Sequence, residues 1–313
     1  TLSEERALEM LDEAINLLDE PLADPSILPQ LLISKFTKQS VTVCLSGDGG
    51  DELLAGYQHI KAHIILEKLS FVNKKVLYIF SKFLSLIPSS SKYFSFGFIA
   101  QRLARGLNST DRLERDILWR GSCKDEDLDK LIKEGMLKDV DKKSPLHIMK
   151  QYADEYDKKD TWSSWSFSYL RTFLMDDVMV KVDRATMWYG IEGRAPLLDS
   201  SVVSLLLSLP DKYKFGKYKN KGLFKKILED KIPEEILNSP KHGFGVPVAK
   251  WLNENLAQKL INVTEESFIN RQNIFNRDFI LKMISEHKNG KDRRKELWAY
   301  LIFQLWYIKW IEK

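Results

Sequence analysis

Two carboxylates set among three glycines carry the most pointed chemistry in this sequence. The stretch Ser46-Gly47-Asp48-Gly49-Gly50-Asp51-Glu52 directly follows the apolar run Val41-Thr42-Val43-Cys44-Leu45. It reads as a buried strand that ends in a glycine-rich turn and opens a helix through Leu53-Leu54-Ala55. At such a junction the backbone N–H groups and the helix N-terminus attract anions. Gly47, Gly49 and Gly50 let a ligand approach the main chain closely. Carboxylates beside a phosphate cradle call for a hard cation such as Mg2+ to bridge them, so Asp48 and Asp51 point to a magnesium-nucleotide site. The same string also fits an ordinary strand-to-helix turn in which Asp48 or Asp51 caps the helix. Glycine-rich loops are weak signals by themselves.

Two further clusters bear charge. In Asp176-Asp177-Val178-Met179-Val180-Lys181-Val182-Asp183-Arg184, α-helical spacing puts Asp176, Asp183 and Arg184 near one face and pairs Asp177 with Lys181. A few residues on, Glu192-Gly193-Arg194-Ala195-Pro196-Leu197-Leu198-Asp199 reads as a structural charge network around a proline turn. The basic cluster is Lys221-Gly222-Leu223-Phe224-Lys225-Lys226, followed by Pro240-Lys241-His242-Gly243-Phe244-Gly245-Val246-Pro247. A lysine held on a Gly/Pro-rich loop suits charge that develops on a transferring phosphate. A solvated loop lysine and a surface His242 are the plain alternatives.

The elements that position these residues are mostly helical. A helix capped by Ser3 is expected to run to about Leu18, with Leu8, Leu11, Ile15 and Leu18 on one face. Glu20 to Pro25 breaks it, and a second helix over about Leu28 to Thr37 leads to the strand. Helix, strand, glycine turn and helix is the cadence of an α/β nucleotide fold. One strand makes no sheet, so its partners are expected outside this chain. From Lys61 to about Lys159 the pattern is helix after helix, with Phe94, Phe96 and Trp119 read as core. Val76 to Ile87 reads as a buried or partner-facing helix. The aromatic helix Leu297 to Trp306 reads as one that closes a core.

Composition narrows the class. The 313 residues suffice for one large domain or two smaller ones. A net charge of +4 is too mild to argue for nucleic acid or a membrane surface. No uninterrupted apolar run is long enough for a membrane span, and from the acidic, helical pattern of the first residues no signal peptide is expected. Cys44 and Cys123 form no disulfide framework, which favours a reducing, cytoplasmic setting.

Taken in order, these motifs closely resemble the synthetase domain of the class B, glutamine-dependent asparagine synthetases. The resemblance is carried by Leu18 to Ser26, the Ser46 to Tyr57 turn, Lys181-Val182-Asp183-Arg184, Glu192 to Asp199, and Lys241 to Pro247. It implies an ATP-pyrophosphatase domain: a predominantly helical α/β fold of the adenine-nucleotide-hydrolase type, truncated here and left with few parallel strands. It also implies that MgATP adenylates the side-chain carboxylate of aspartate, and that ammonia from a glutaminase domain displaces AMP to give asparagine. On the resemblance, Ser46, Gly47, Gly49 and Gly50 bind nucleotide and Asp51 is a Mg2+ ligand. Asp48 holds the acidic position associated with adenylate formation. Lys241 stabilises charge on the α-phosphate, and Lys221 is a second basic contact.

The departures from the family pattern are also specific. The first phosphate loop, Ser-Gly-Gly-x-Asp-Ser, is absent, as is the cysteine glutaminase domain. Tyr169 stands where the family usually has Asp, and Met175 where Pro is common. With Thr1 as the first residue, the expectation is a C-terminal piece of a larger synthetase, binding ATP poorly and inactive by itself. The expected organisation is a remnant nucleotide core over 1–60, a variable helical insertion over 61–160 and a helical C-terminal part over 161–313. Rival expectations are a related amidotransferase acting on a sugar acid or peptide carboxylate, and a non-catalytic interaction module. The partners expected are aspartate and ammonia, with no nucleic acid and no membrane, and a homodimer is left open.

Overall fold

In the computed structural model, which describes residues 4–68, 71–90, 95–156, 161–215, 221–237, 239 and 245–312, the expected strand is Val43–Leu45, here β1. It pairs in parallel with Glu192–Arg194, here β2, in the register Val43↔Glu192, Cys44↔Gly193 and Leu45↔Arg194. Backbone bonds from Glu192 N to Thr42 O (2.8 Å) and from Ser46 N to Arg194 O (2.7 Å) extend the ladder at both ends. The partner expected outside the chain is therefore inside it. Sequence alone hides β2 because Glu-Gly-Arg contains no β-branched or aromatic residue. A second correction concerns burial: Val43 is 41% exposed and Leu45 is 73% exposed, so β1 is not the buried strand its composition suggests.

Apart from these strands and one isolated bridge between Ile132 and Phe275, the regular elements of the described residues are helical. The fold is α/β, predominantly helical, with few parallel strands. The chain forms two compact units, neither of them one continuous stretch of sequence. None of the described helices is long and apolar enough to cross a membrane.

The unit formed by Gln30–Phe71 and Pro145–Phe244 holds both strands. Its core gathers Leu53 and Leu54, just after the glycine turn, with Leu206 and Leu207, and Phe167, Leu198, Leu223 and Phe224 close around them. Leu206 and Leu207 lie on the Ser200–Ser208 helix, whose N-terminus is capped by Asp199 accepting from Ser201 N at 2.9 Å. Asp199 is thus a helix cap, and Glu192 pairs with Arg194 at 2.8 Å on the surface, in keeping with a structural charge network. The Thr161–Tyr169 helix runs directly into a π-helix, Leu170–Met179. Its wider turn corrects the α-helical facing assumed for Asp176 and Asp177.

The other unit comprises Thr1–Pro29, Val72–Ser144 and Gly245–Lys313. The Arg294–Trp310 helix buries Leu297, Trp298, Tyr300, Leu301 and Ile302, as its aromatic pattern predicts. At the other end of the chain, two helices, Glu4–Glu9 and Leu11–Leu17, replace the single one expected, and Ser3 lies outside the described residues. Trp119 is core, but Phe96 is 73% exposed, and Phe94 lies outside the described residues. Around the start of the Arg294–Trp310 helix sits a buried charge network. Arg293 pairs with Asp127 at 2.5 Å and Glu286 at 2.7 Å, Arg105 with Glu296 at 2.6 Å, and Arg294 with Asp292 at 2.6 Å. Lys295 donates to Arg120 O within it. Burial, together with Arg102, Arg120 and Arg105, lowers that amine to about 7.

Candidate functional site

The glycine turn begins where β1 ends. Parallel strands present their carboxyl ends to ligands in open α/β sheets, and the turn occupies that position. Gly49 takes φ +84°, a left-handed conformation, and a Cβ there would sit 2.2 Å from Leu198 Cδ2. Glycine is needed at this position for both reasons. Gly50 N donates to Gly47 O at 3.3 Å, closing the turn, and a Cβ on Gly47 would face open space. The short Gly50–Leu53 helix then has Gly49 as its N-cap, with no side-chain cap bond. Neither Asp48 nor Asp51 fills the capping role that the plain reading offered them.

Asp51 instead meets a residue remote in sequence. Its Oδ1 lies 2.7 Å from Lys221 Nζ, with side chains 16% and 27% exposed. Two features aim Lys221 there. Its backbone adopts φ +50°, costly for a side-chain-bearing residue, and its N–H donates to Leu54 O at 2.9 Å. Gly56 makes room, since a Cβ there would stand 2.0 Å from Asp51 Oδ1 and 2.4 Å from Lys221 Cε. Gly50 lies on the same amine: its Cβ would be 3.7 Å from Lys221 Nζ.

Glu52, next in the chain, is buried and accepts from the Tyr57 hydroxyl. Burial pushes its carboxyl above the usual carboxylate range. The Tyr57 bond draws it back down, and Asp51 and Asp48 push it up. Tyr57 stacks on His59 with ring centroids 5.3 Å apart, and His59 Nε2 shares a 3.1 Å hydrogen bond with the hydroxyl of the fully buried Tyr169. This acid–phenol–imidazole–phenol succession is assigned no role by the sequence reading. The only hints in the sequence are Tyr57 five residues after Glu52 and the unusual Tyr169.

Of the predicted site residues, Asp51 and Lys221 are brought together, with Gly50 beside them. Ser46 and Gly47 shape the turn, and Asp48 is near enough to act electrostatically on Glu52. Lys241 and His242 lie outside the described residues. The described residues hold no group of three or more His, Cys, Asp or Glu side chains arranged to hold a metal ion. The donor chemistry of the turn still suits a hard cation: carboxylate oxygens of Asp51 and Asp48 on a glycine backbone that phosphates can approach. In the arrangement seen here, Lys221 supplies the positive charge beside Asp51.

Comparison with known proteins gives the family. The asparagine synthase family profile matches residues 1–308. Asparagine synthetase (glutamine-hydrolyzing) 1 of Bacillus subtilis (strain 168) is 29% identical over 319 residues, covering 100% of this chain and 47% of its own length. A putative asparagine synthetase (glutamine-hydrolyzing) of Mycobacterium bovis is 26% identical over 324 residues, covering 99% of this chain and 46% of its own. The chain spans about half the length of these relatives. A family match over nearly the whole sequence shows that the chain belongs to the asparagine synthase family.

Proposed function

We propose that the protein acts in ATP-dependent amide formation in the cytoplasm. In this reading the side-chain carboxylate of aspartate is activated as a β-aspartyl-adenylate, and ammonia released from glutamine attacks it to give asparagine. The observation that carries this reading is the Asp51–Lys221 pair at 2.7 Å, on a glycine turn at the carboxyl end of a parallel strand pair. Relatives named as glutamine-hydrolysing asparagine synthetases support the choice of reaction.

Each residue then has a physical task. Gly47, Gly49 and Gly50 let the triphosphate approach the backbone, and Ser46 fixes the turn to β2. Asp51, with Asp48 beside it, would hold Mg2+, which when bound neutralises and aligns phosphate oxygens. Lys221 keeps the Asp51 carboxylate compensated and presents an ammonium to the same space as the glycine backbone. Asp48 faces the acceptor carboxylate step, and Lys241 stabilises the α-phosphate as charge develops on it. Glu52 and Tyr57 hold the helix that carries Asp51.

The test is AMP release by the full-length protein with aspartate and either glutamine or ammonia, compared with Asp51→Ala and Lys241→Ala. Aspartate-dependent AMP release that falls about a hundredfold or more in both variants is the expected result. AMP release that ignores aspartate, or that appears only with a sugar acid or peptide carboxylate, would overturn the acceptor. Full activity in both variants would overturn the site.

A further inference from the structure

The mild net charge of +4 conceals one sharply uneven region. Between residues 68 and 110 the sequence holds seven Lys or Arg and no Asp or Glu, so the rest of the chain is net negative. The Lys74–Leu86 helix lies inside this region. Its Ser81 and Leu84 are buried, and Asn73 caps it by accepting from Lys75 N at 2.8 Å. A different side of the helix carries Val76, Ile79, Phe80, Phe83 and Leu86, all between 47% and 79% exposed. At about 100° per residue these five form one continuous apolar stripe. Lys75 and Lys82 border it, with Lys82 Nζ 5.3 Å from the Tyr78 ring centre. The neighbouring Phe96–Gly106 helix adds exposed Phe96 and Ile99 in an acid-free sequence.

We infer that the Lys74–Leu86 helix is a peripheral docking surface for an anionic lipid bilayer, with Ile79, Phe80, Phe83 and Leu86 entering the headgroup–acyl boundary and Lys75 and Lys82 meeting anionic headgroups. The charge selects this occupant. An apolar stripe alone would suit any apolar partner, whereas a helix with three lysines and no acid, two of the lysines bordering the stripe, matches the negative cytoplasmic leaflet. The helix is already folded and packed on its unit, so binding does not have to order it first. No described helix could span the bilayer, which makes the association one of surface contact. The inference does not depend on the amide-forming reading, because AMP release is measured without lipid.

Co-sedimentation of the full chain with phosphatidylglycerol/phosphatidylcholine vesicles, against phosphatidylcholine alone, tests it. Partitioning at least about tenfold stronger on the anionic vesicles is expected, weakening in high salt. Lys75→Glu/Lys82→Glu should cut it at least tenfold, each lysine being worth about fivefold. Phe80→Ser/Phe83→Ser should cut it at least as far, while Phe36→Ser, an exposed aromatic of the other unit, should not. These side chains are exposed, so circular dichroism should show all three variants folded. Equal partitioning on both vesicle types, or variants that bind like the parent, would overturn the proposal. So would a chain that ignores vesicles and self-associates through Phe80 and Phe83, which would make the stripe an interface between copies.

Discussion

Gly56 and Asp51 meet through the space that an absent side chain leaves: a Cβ on Gly56 would stand 2.0 Å from Asp51 Oδ1. Lys221 Cε, at 2.4 Å, borders the same gap. Gly56→Ala therefore has to push the ion pair apart. The expected cost is about 1–3 kcal/mol of stability, typical of an overfilled site. Urea denaturation measures that cost, and a parallel loss of AMP release would tie it to Asp51. A Gly56→Ala protein as stable as the parent would mean that the pair is free to move aside.

Lys221 carries its ammonium on a left-handed backbone, at φ +50°. Lys221→Ala loses the pair and keeps the strain, whereas Lys221→Gly loses the pair and relieves it. Lys221→Gly should be the more stable of the two by about 1 kcal/mol. Denaturant midpoints of the two variants, read side by side, decide the matter.

Tyr57→Phe removes the hydroxyl that donates to the buried Glu52. The acceptor left behind should cost about 1–3 kcal/mol, and Glu52→Gln, which keeps a carbonyl oxygen, should cost less. The sign with pH follows from the raised carboxyl. Above its ordinary value of 4.5 the unfolded chain has released a proton that the folded chain still holds, so this group disfavours folding as pH rises through its folded value. Tyr57→Phe raises the carboxyl further and should steepen that loss in denaturation curves taken between pH 4 and 7.

Lys295 titrates in the opposite sense. Its folded value of about 7 lies below the ordinary 10.5. Between the two, the unfolded chain holds a proton that the folded chain has lost, so stability rises with pH across that window. This one group contributes at most about 1.4 kcal/mol per pH unit. Below about 7 both states are protonated and the contribution is flat. In Lys295→Met the rise between pH 7 and 10 should shrink by that amount, and thermal melts at several pH values would reveal it.

Some of this architecture is legible in the sequence because local chemistry leaves little choice. The Ser46–Glu52 turn is one such case: Gly49 needs a positive φ and a close approach to Leu198, and both demand glycine. The Arg294–Trp310 helix is another, since its apolar residues are numerous enough to fix its burial. Pairings between distant segments left fainter marks. The Asp51–Lys221 contact is written nowhere in either local string and was indicated only as two separate roles on the family resemblance. Glu192–Arg194 looked like a charged turn because strand pairing rests on the backbone, not on those three side chains. Apolar residues such as Leu45 and Phe96 announce a need for cover without saying whether this chain supplies it.

The π-helix at Leu170–Met179 gives the aspartates it carries an uncommon dependence. In an α-helix a substitution changes what a side chain is, and its direction stays fixed by the turn. Here the extra residue per turn makes direction a matter of helical pitch as well. Relaxing the segment to α-helical pitch at constant length would swing Asp176 and Asp177 by roughly one residue's rotation, about 100°, relative to the Thr161–Tyr169 helix, whereas deleting one residue as it relaxes would hold their direction. For this acidic pair, a change of helical pitch is the variation that can re-aim it while leaving both carboxylates in place.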